Sequence, residues 1–133
     1  MSDYITAVGK TFPWHELYVP DAQKAKEFYV AALDWSAEDF DMGEMGKYPM
    51  FSANGSGVGG IMATSSHPDM ANIPPHWAIY IGVDDVDARL AKCEALGAKC
   101  LVPPMDVPTV GRMCLIQDPQ GATFWIFKSV NPA

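Results

Sequence analysis

The side chains in this sequence that could do chemistry fall into an acid–base set and an aromatic set. The first is Glu16, with His15 beside it, and His76; the second is Trp14, Tyr18, Tyr80, Trp125 and Phe127. A carboxylate among aromatic rings is costly to bury unless it is solvated, paired or used. Glu16 is therefore a candidate general base or a hydrogen-bond acceptor for a ligand, and Arg112 is the partner it would have in a plain ion pair. His76 follows Pro74 and Pro75, so it reads either as a second proton-moving group or as a rim residue at a strand entrance. The aromatic rings offer faces for a planar or hydrophobic molecule to stack on, and their competing use is to fill a small barrel or a dimer interface.

Other reactive types carry less. Cys93, Cys100 and Cys114 are odd in number and lack metal-ligand spacing, so they read as reduced thiols used in packing. The glycine-rich run 54–60 lacks the Lys and Ser or Thr of a phosphate loop and leads into no helix. Glycine there serves a hairpin turn and close approach of strands.

The elements that must position these residues are legible from periodicity. Residues 12–19 suit a strand, ended by Pro20, and Asp21 is a helix N-cap. Ala25, Phe28, Tyr29, Ala32 and Leu33 then share one helix face. Short alternating stretches follow, broken at Gly43, Gly46 and Pro49, with 50–53 and 59–63 the clearest strands of an antiparallel meander. The run 65–75 is rich in Ser, Asp, Asn and Pro and reads as a linker.

After it the pattern repeats. Residues 77–83 form a strand, Asp85 a cap, and Val86, Leu90, Cys93 and Leu96 a helix face closed by Gly97. Strands at 100–102, 112–117 and 122–127 complete the half, with a turn at Asp118, Pro119, Gln120 and Gly121. Asp85 lies 64 residues after Asp21, nearly half of the 133-residue chain, which reads as an internal duplication. The expected fold is α+β: two tandem βαβββ modules, about 10–64 and 76–128 with a linker at about 65–75, making one domain whose curved mixed sheet surrounds a cup.

Composition narrows the partners. Sixteen acidic and nine basic residues give a formal net charge of -7, and the cations form no stripe. Nucleic acid and anionic membrane surfaces are excluded as expected partners. Neither a signal-like start nor a run of about 18 apolar residues is present, so a cytoplasmic location is expected. The aromatic content and edge strands point to a homodimer.

Three stretches, WHELYVPDAQKAKEFYVAALDW, VDDVDARLAKCEALGAK and the closing DPQGATFWIF, together resemble the landmark segments of the vicinal-oxygen-chelate superfamily of glyoxalases, bleomycin-resistance proteins and extradiol dioxygenases. They span almost the whole chain, and the small bacterial glyoxalase-like branch is the nearest in pattern. The resemblance implies a small-molecule site. In metal-dependent relatives it also implies a divalent ion held by His, Gln or Glu from the first and last strands of each module, acting as a Lewis acid on two vicinal oxygens.

Strand alternation tests whether those ligands are present. Leu17 and Val19 belong under the helix, so His15 shares their face while Trp14, Glu16 and Tyr18 face the cup. In the second module Trp77, Ile79 and Ile81 are the helix-side set, leaving His76, Ala78 and Tyr80 inward. The ligand positions implied by the resemblance fall on Trp14, Ala78, Trp125 and the Gly59–Ile61 segment, none of which supplies a metal donor. No metal or other cofactor is therefore expected. A one-residue slip would exchange the faces and leave His15, Glu16 and His76 as the ligand set.

Two functions follow. The first is metal-independent binding of a small molecule, with Trp14, Tyr18, Tyr80, Arg112, Trp125 and Phe127 as contacts. The alternative is a lyase, isomerase or dioxygenase of the glyoxalase I type, with or without a divalent ion, in which Glu16 and His76 are catalytic.

Overall fold

The computed structural model describes residues 12–41, 43, 46–70 and 72–130. It contains eight strands, β1 (Trp14–Val19), β2 (Ser36–Asp41), β3 (Lys47–Ala53), β4 (Ser56–Ala63), β5 (His76–Gly82), β6 (Lys99–Val107), β7 (Gly111–Gln117) and β8 (Thr123–Ser129). Among the described residues two α-helices, α1 (Ala22–Leu33) and α2 (Val86–Ala95), each follow the first strand of a half. This is the α+β, twice-repeated βαβββ order expected from the periodicity. Residues His15–Ala78 form one compact unit, and the other is built mainly from Ile79 onward.

In the first unit the strand order is β2-β3-β4-β1, with β1 parallel to β4 and the other pairs antiparallel. The Asp21 carboxylate accepts the Lys24 backbone N–H at 3.0 Å, which starts α1 as expected of an N-cap. Leu17, Ala25, Phe51 and Ile61 then bury one another, and Val19, Ala22, Tyr29 and Trp35 pack against them. Leu17 and Val19 thus lie on the helix side of β1, as alternation requires.

The second unit repeats this plan in the order β5-β8-β7-β6, with β5 parallel to β8. Asp85 caps α2 through the Ala88 N–H at 3.0 Å. Val83, Val86, Cys114, Ile116 and Ile126 form the buried cluster, with Leu90, Cys93, Ala98 and Phe124 packed on it. Asp118 closes the β7–β8 turn by accepting from the Gln120 and Ala122 N–H groups at 2.8 and 3.0 Å, while Gly121 takes a φ of 99°.

Several boundaries differ from the sequence reading. Phe28 and Leu33 are exposed, because α1 meets its sheet along Ala22, Ala25 and Tyr29, and Phe28 lies about 100° around the helix from Tyr29. Leu96 is likewise exposed at the end of α2. Pro49 does not break its strand: it pairs with Asp39 of β2, and the ladder to β4 runs from Met50 onward, so the missing N–H falls where β3 has one neighbour. β6 extends through Pro103 and Pro104 by means of two register shifts. The linker region contains two short 3-10 turns, Thr64–Ser66 and Pro68–Met70. Within the described residues no helix is long and apolar enough to cross a membrane.

Phe51 is fully buried, so Phe51→Ala is expected to cost about 3–5 kcal/mol of stability, read as a lower urea midpoint with an unchanged slope. Cys114 is also fully enclosed, and burial raises its thiol from 9.0 to about 12, with neighbouring Cys100 and Cys93 acting in the same direction. The folded state thus favours the neutral thiol. Its contribution is complete below pH 9.0, where the unfolded thiol is also protonated, and is lost as pH climbs toward 12. Urea midpoints measured across that window should fall for the wild type and fall less steeply for Cys114→Ala.

Candidate functional site

Each helix covers one face of its sheet, and the candidate site lies on the opposite face of the first. Along β1, Glu16 and Tyr18 project away from Leu17 and α1, and the Tyr18 hydroxyl donates to Glu16 Oε1 at 2.9 Å. The other carboxylate oxygen, Oε2, accepts from the Tyr48 hydroxyl at 2.5 Å. Tyr48 belongs to β3, two strands away from β1, and β4 lies between them. The phenol reaches Glu16 because the β4 residue opposite Glu16 is Gly60: a Cβ there would fall inside the Tyr48 hydroxyl. Glu16 is 5% exposed, and hydrogen bonds to an ionised acceptor are the strong kind that burial of a carboxylate requires.

His76 lies parallel to Tyr18, with ring centroids 5.1 Å apart and planes 6° from coincidence. Its Nδ1 is 2.8 Å from the Pro74 carbonyl oxygen. A carbonyl only accepts, so Nδ1 carries the hydrogen, and in the neutral ring Nε2 holds the lone pair. The imidazole is thus oriented from behind, a common arrangement for a proton acceptor. Met50 pairs with Gly60 and Met62 with Tyr18, and both are half-buried. The same register sets Glu38 opposite Met50 and exposed Phe40 opposite Tyr48.

His15 is exposed, so it is not a histidine packed beneath α1. Since Leu17 faces the helix and Glu16 faces away, adjacent His15 and Glu16 project to opposite sides of β1, and the set His15, Glu16 and His76 cannot converge on one ion. A divalent ion of the kind used by metal-dependent glyoxalases does not fit these side chains. Both Glu16 oxygens accept from phenols, His76 Nδ1 faces a carbonyl, and Trp14, Ala78 and Trp125 have no donor of the required kind. Among the described residues no group of three or more His, Cys, Asp or Glu side chains could hold a metal ion.

In the second unit the face opposite α2 carries its own aromatic stack. Tyr80 pairs with Trp125 across β5 and β8, and their rings lie 5.3 Å apart and 6° from parallel. Phe127 meets Tyr80 edge-on at 6.2 Å and 89°. Gly111 clears the Phe127 ring as Gly60 clears Tyr48. Trp14 is half-buried at the start of β1. Trp77, expected on a helix side, donates its indole N–H to the Tyr29 hydroxyl of α1 at 3.2 Å.

Arg112 departs from its expected role. Its Nε and Nη2 bind the Asp87 carboxylate of α2 at 2.8 and 3.0 Å, and Nη1 binds Asp106 at 3.1 Å. The guanidinium expected to partner Glu16 is committed to these two aspartates, which hold its charged form and raise its pKa, as Arg112 in turn lowers that of Asp87. The cause is parity: Arg112 shares a side of β7 with Cys114 and Ile116, the α2 side. Conversely, Tyr48 escaped the sequence reading because Gly46 and Pro49 bracket it as a break. The signal that finds it is register, which sets Gly60 against Glu16 on one side and Met50 on the other.

Comparison with known proteins agrees with this architecture. Residues 11–126 match the model of the Glyoxalase/Bleomycin resistance protein/Dioxygenase superfamily. The chain is 36% identical over 118 residues to "Putative glyoxylase CFP32" of Mycobacterium bovis, covering 89% of this chain and 44% of that protein. It is 30% identical over 125 residues to the anthracycline biosynthesis protein DnrV of Streptomyces peucetius, covering 86% and 46%. The chain thus spans less than half the length of these relatives. Among solved structures, methylmalonyl-CoA epimerase from Mycobacterium tuberculosis superposes with a TM-score of 0.62 at 14% identity, over 98% of this chain and 93% of that one, a likeness of fold. With the twice-repeated βαβββ order and a match over nearly its full length, the chain belongs to the Glyoxalase/Bleomycin resistance protein/Dioxygenase superfamily.

Proposed function

We propose that this protein binds a small planar molecule on the face of β1–β4 opposite α1 without a metal ion, using Glu16 as hydrogen-bond acceptor and the Tyr18–His76 stack as a wall. The observation that carries this reading is the Glu16 carboxylate, buried on the side of β1 away from α1 and held by two phenols. A second aromatic surface, Tyr80 with Trp125 and Phe127, is suited to stacking in the same way.

The ligand is neutral or cationic. The chain carries a net charge of -7, and its two arginines are tied to aspartates, Arg89 to Asp84 and Arg112 to Asp87 and Asp106. A polyanion such as the coenzyme A ester named for the structural neighbours would find no uncommitted guanidinium. We also propose a homodimer, supported by the exposure of Phe28 at 63%.

Thermal-shift and fluorescence titrations of protein freed of metal by chelation test the first proposal. Planar neutral or cationic aromatics are expected to stabilise the wild type, and Glu16→Gln to weaken them about tenfold through loss of a charged acceptor. Stoichiometric binding of nickel, zinc, manganese or iron that Glu16→Gln and His76→Ala both abolish would overturn it. Light scattering should give twice the chain mass at micromolar concentration; a monomer refutes the dimer.

A further inference from the structure

Resting on the binding reading above, we infer that the slot over Gly60 is a subsite for a hydroxyaryl group, and that the Tyr48 side chain occupies it as an internal stand-in for the ligand. Three observations lead there. The Tyr48 hydroxyl donates to Glu16 at 2.5 Å, so an aromatic O–H is demonstrably the right donor for this carboxylate. The hydroxyl lies where a side chain at Gly60 would begin, so the slot exists only because β4 has no Cβ there. Tyr48 itself is half-buried, one residue before Pro49, on the stretch of β3 that pairs with Phe40 of β2 and precedes the ladder from Met50 to β4.

These features separate the slot from its occupant. The carboxylate acceptor is fixed on β1, where Glu16 is buried and also held by Tyr18. The phenol is carried by a strand end with one neighbouring strand. Half-buried Met50 and Met62 border the slot through their pairing with Gly60 and Tyr18, and thioether side chains adapt their shape to different rings. A phenolic or catecholic ligand therefore exchanges one aromatic O–H···carboxylate bond for another as Tyr48 swings out. No charge is created or buried in the exchange, and no bond is made or broken.

The test is chemical complementation. Tyr48→Ala is expected to bind p-cresol, the tyrosine side chain as a free molecule, about tenfold more tightly than the wild type does. Toluene, of the same shape but without the hydroxyl, should bind about tenfold more weakly than p-cresol, as should p-cresol to the Tyr48→Ala, Glu16→Gln double variant. Equal affinity for p-cresol and toluene, or p-cresol binding unchanged by Glu16→Gln, overturns the subsite.

A second measurement does not depend on the variant folding. In wild-type protein with 13C-labelled tyrosine, p-cresol should shift the Tyr48 resonances, assigned by Tyr48→Phe, with toluene leaving them in place. If planar aromatics bind the wild type while Tyr48 stays unmoved by p-cresol, the subsite falls and the broader binding function stands. If complementation succeeds while the wild type binds no aromatic ligand, the cavity belongs to the truncation alone, and both the subsite and that function fall.

Discussion

One buried carboxylate governs the first half of this protein. Glu16 cannot lose its water without gaining donors, since an ionised group left bare in a low-dielectric setting costs far more than a small domain can bear. Tyr18 supplies one donor from the same strand. The second comes from β3, and its delivery requires that β4 be bare at Gly60 and that the β3–β4 register hold Met50 against that glycine. The order of strands, the placing of a glycine and the position of a tyrosine are thus three parts of one electrostatic requirement. A register slip of β4 that set Ile61 opposite Glu16 would put a side chain where the phenol lies and remove the Tyr48 hydrogen bond.

The two halves resolve the same architectural problem with different chemistry. In each, an aspartate-capped helix buries the odd or even set of its sheet, and the opposite set is left to aromatic residues. The second half meets the face opposite α2 with an all-aromatic stack, Tyr80 on Trp125 beside Phe127, and sends its arginine to the helix side to join Asp87. The first half places on the corresponding face a carboxylate, two phenols and an imidazole. The same βαβββ order thus carries a polar set in one half and an aromatic set in the other, each apart from its own buried cluster.

Much of this was legible beforehand, because it depends on periods of two and 3.6. The alternation of Glu16 with Leu17, the caps at Asp21 and Asp85, the helices they start and the Asp118 turn are all local, and each is present in the structure. What failed was non-local. Tyr48 lies between two residues that usually punctuate loops, and only the pairing of three strands brings it to Glu16. Charge alone offers Arg112 as a partner for Glu16, whereas parity on β7 turns it toward Asp87 of α2. The helix faces were drawn too wide, since a list of apolar positions does not say how much of a helix a narrow sheet can cover. Phe28 and Leu96 are the residues that pay for that omission.

The β2 strand lies at the end of its sheet, and five of its six residues, Glu38, Asp39 and Asp41 among them, are exposed. An outermost ribbon of unpaired amides is an open invitation to another polypeptide, and hydrophobic Phe40 in its middle makes the offer more attractive. The carboxylates bracketing that ring turn the invitation away: two such ribbons laid side by side would crowd like charges together, and Lys26, drawn to Asp39, offsets only one. The surplus of acid in this chain thereby acquires a local purpose, as a guard against fibrous self-association along its least protected border.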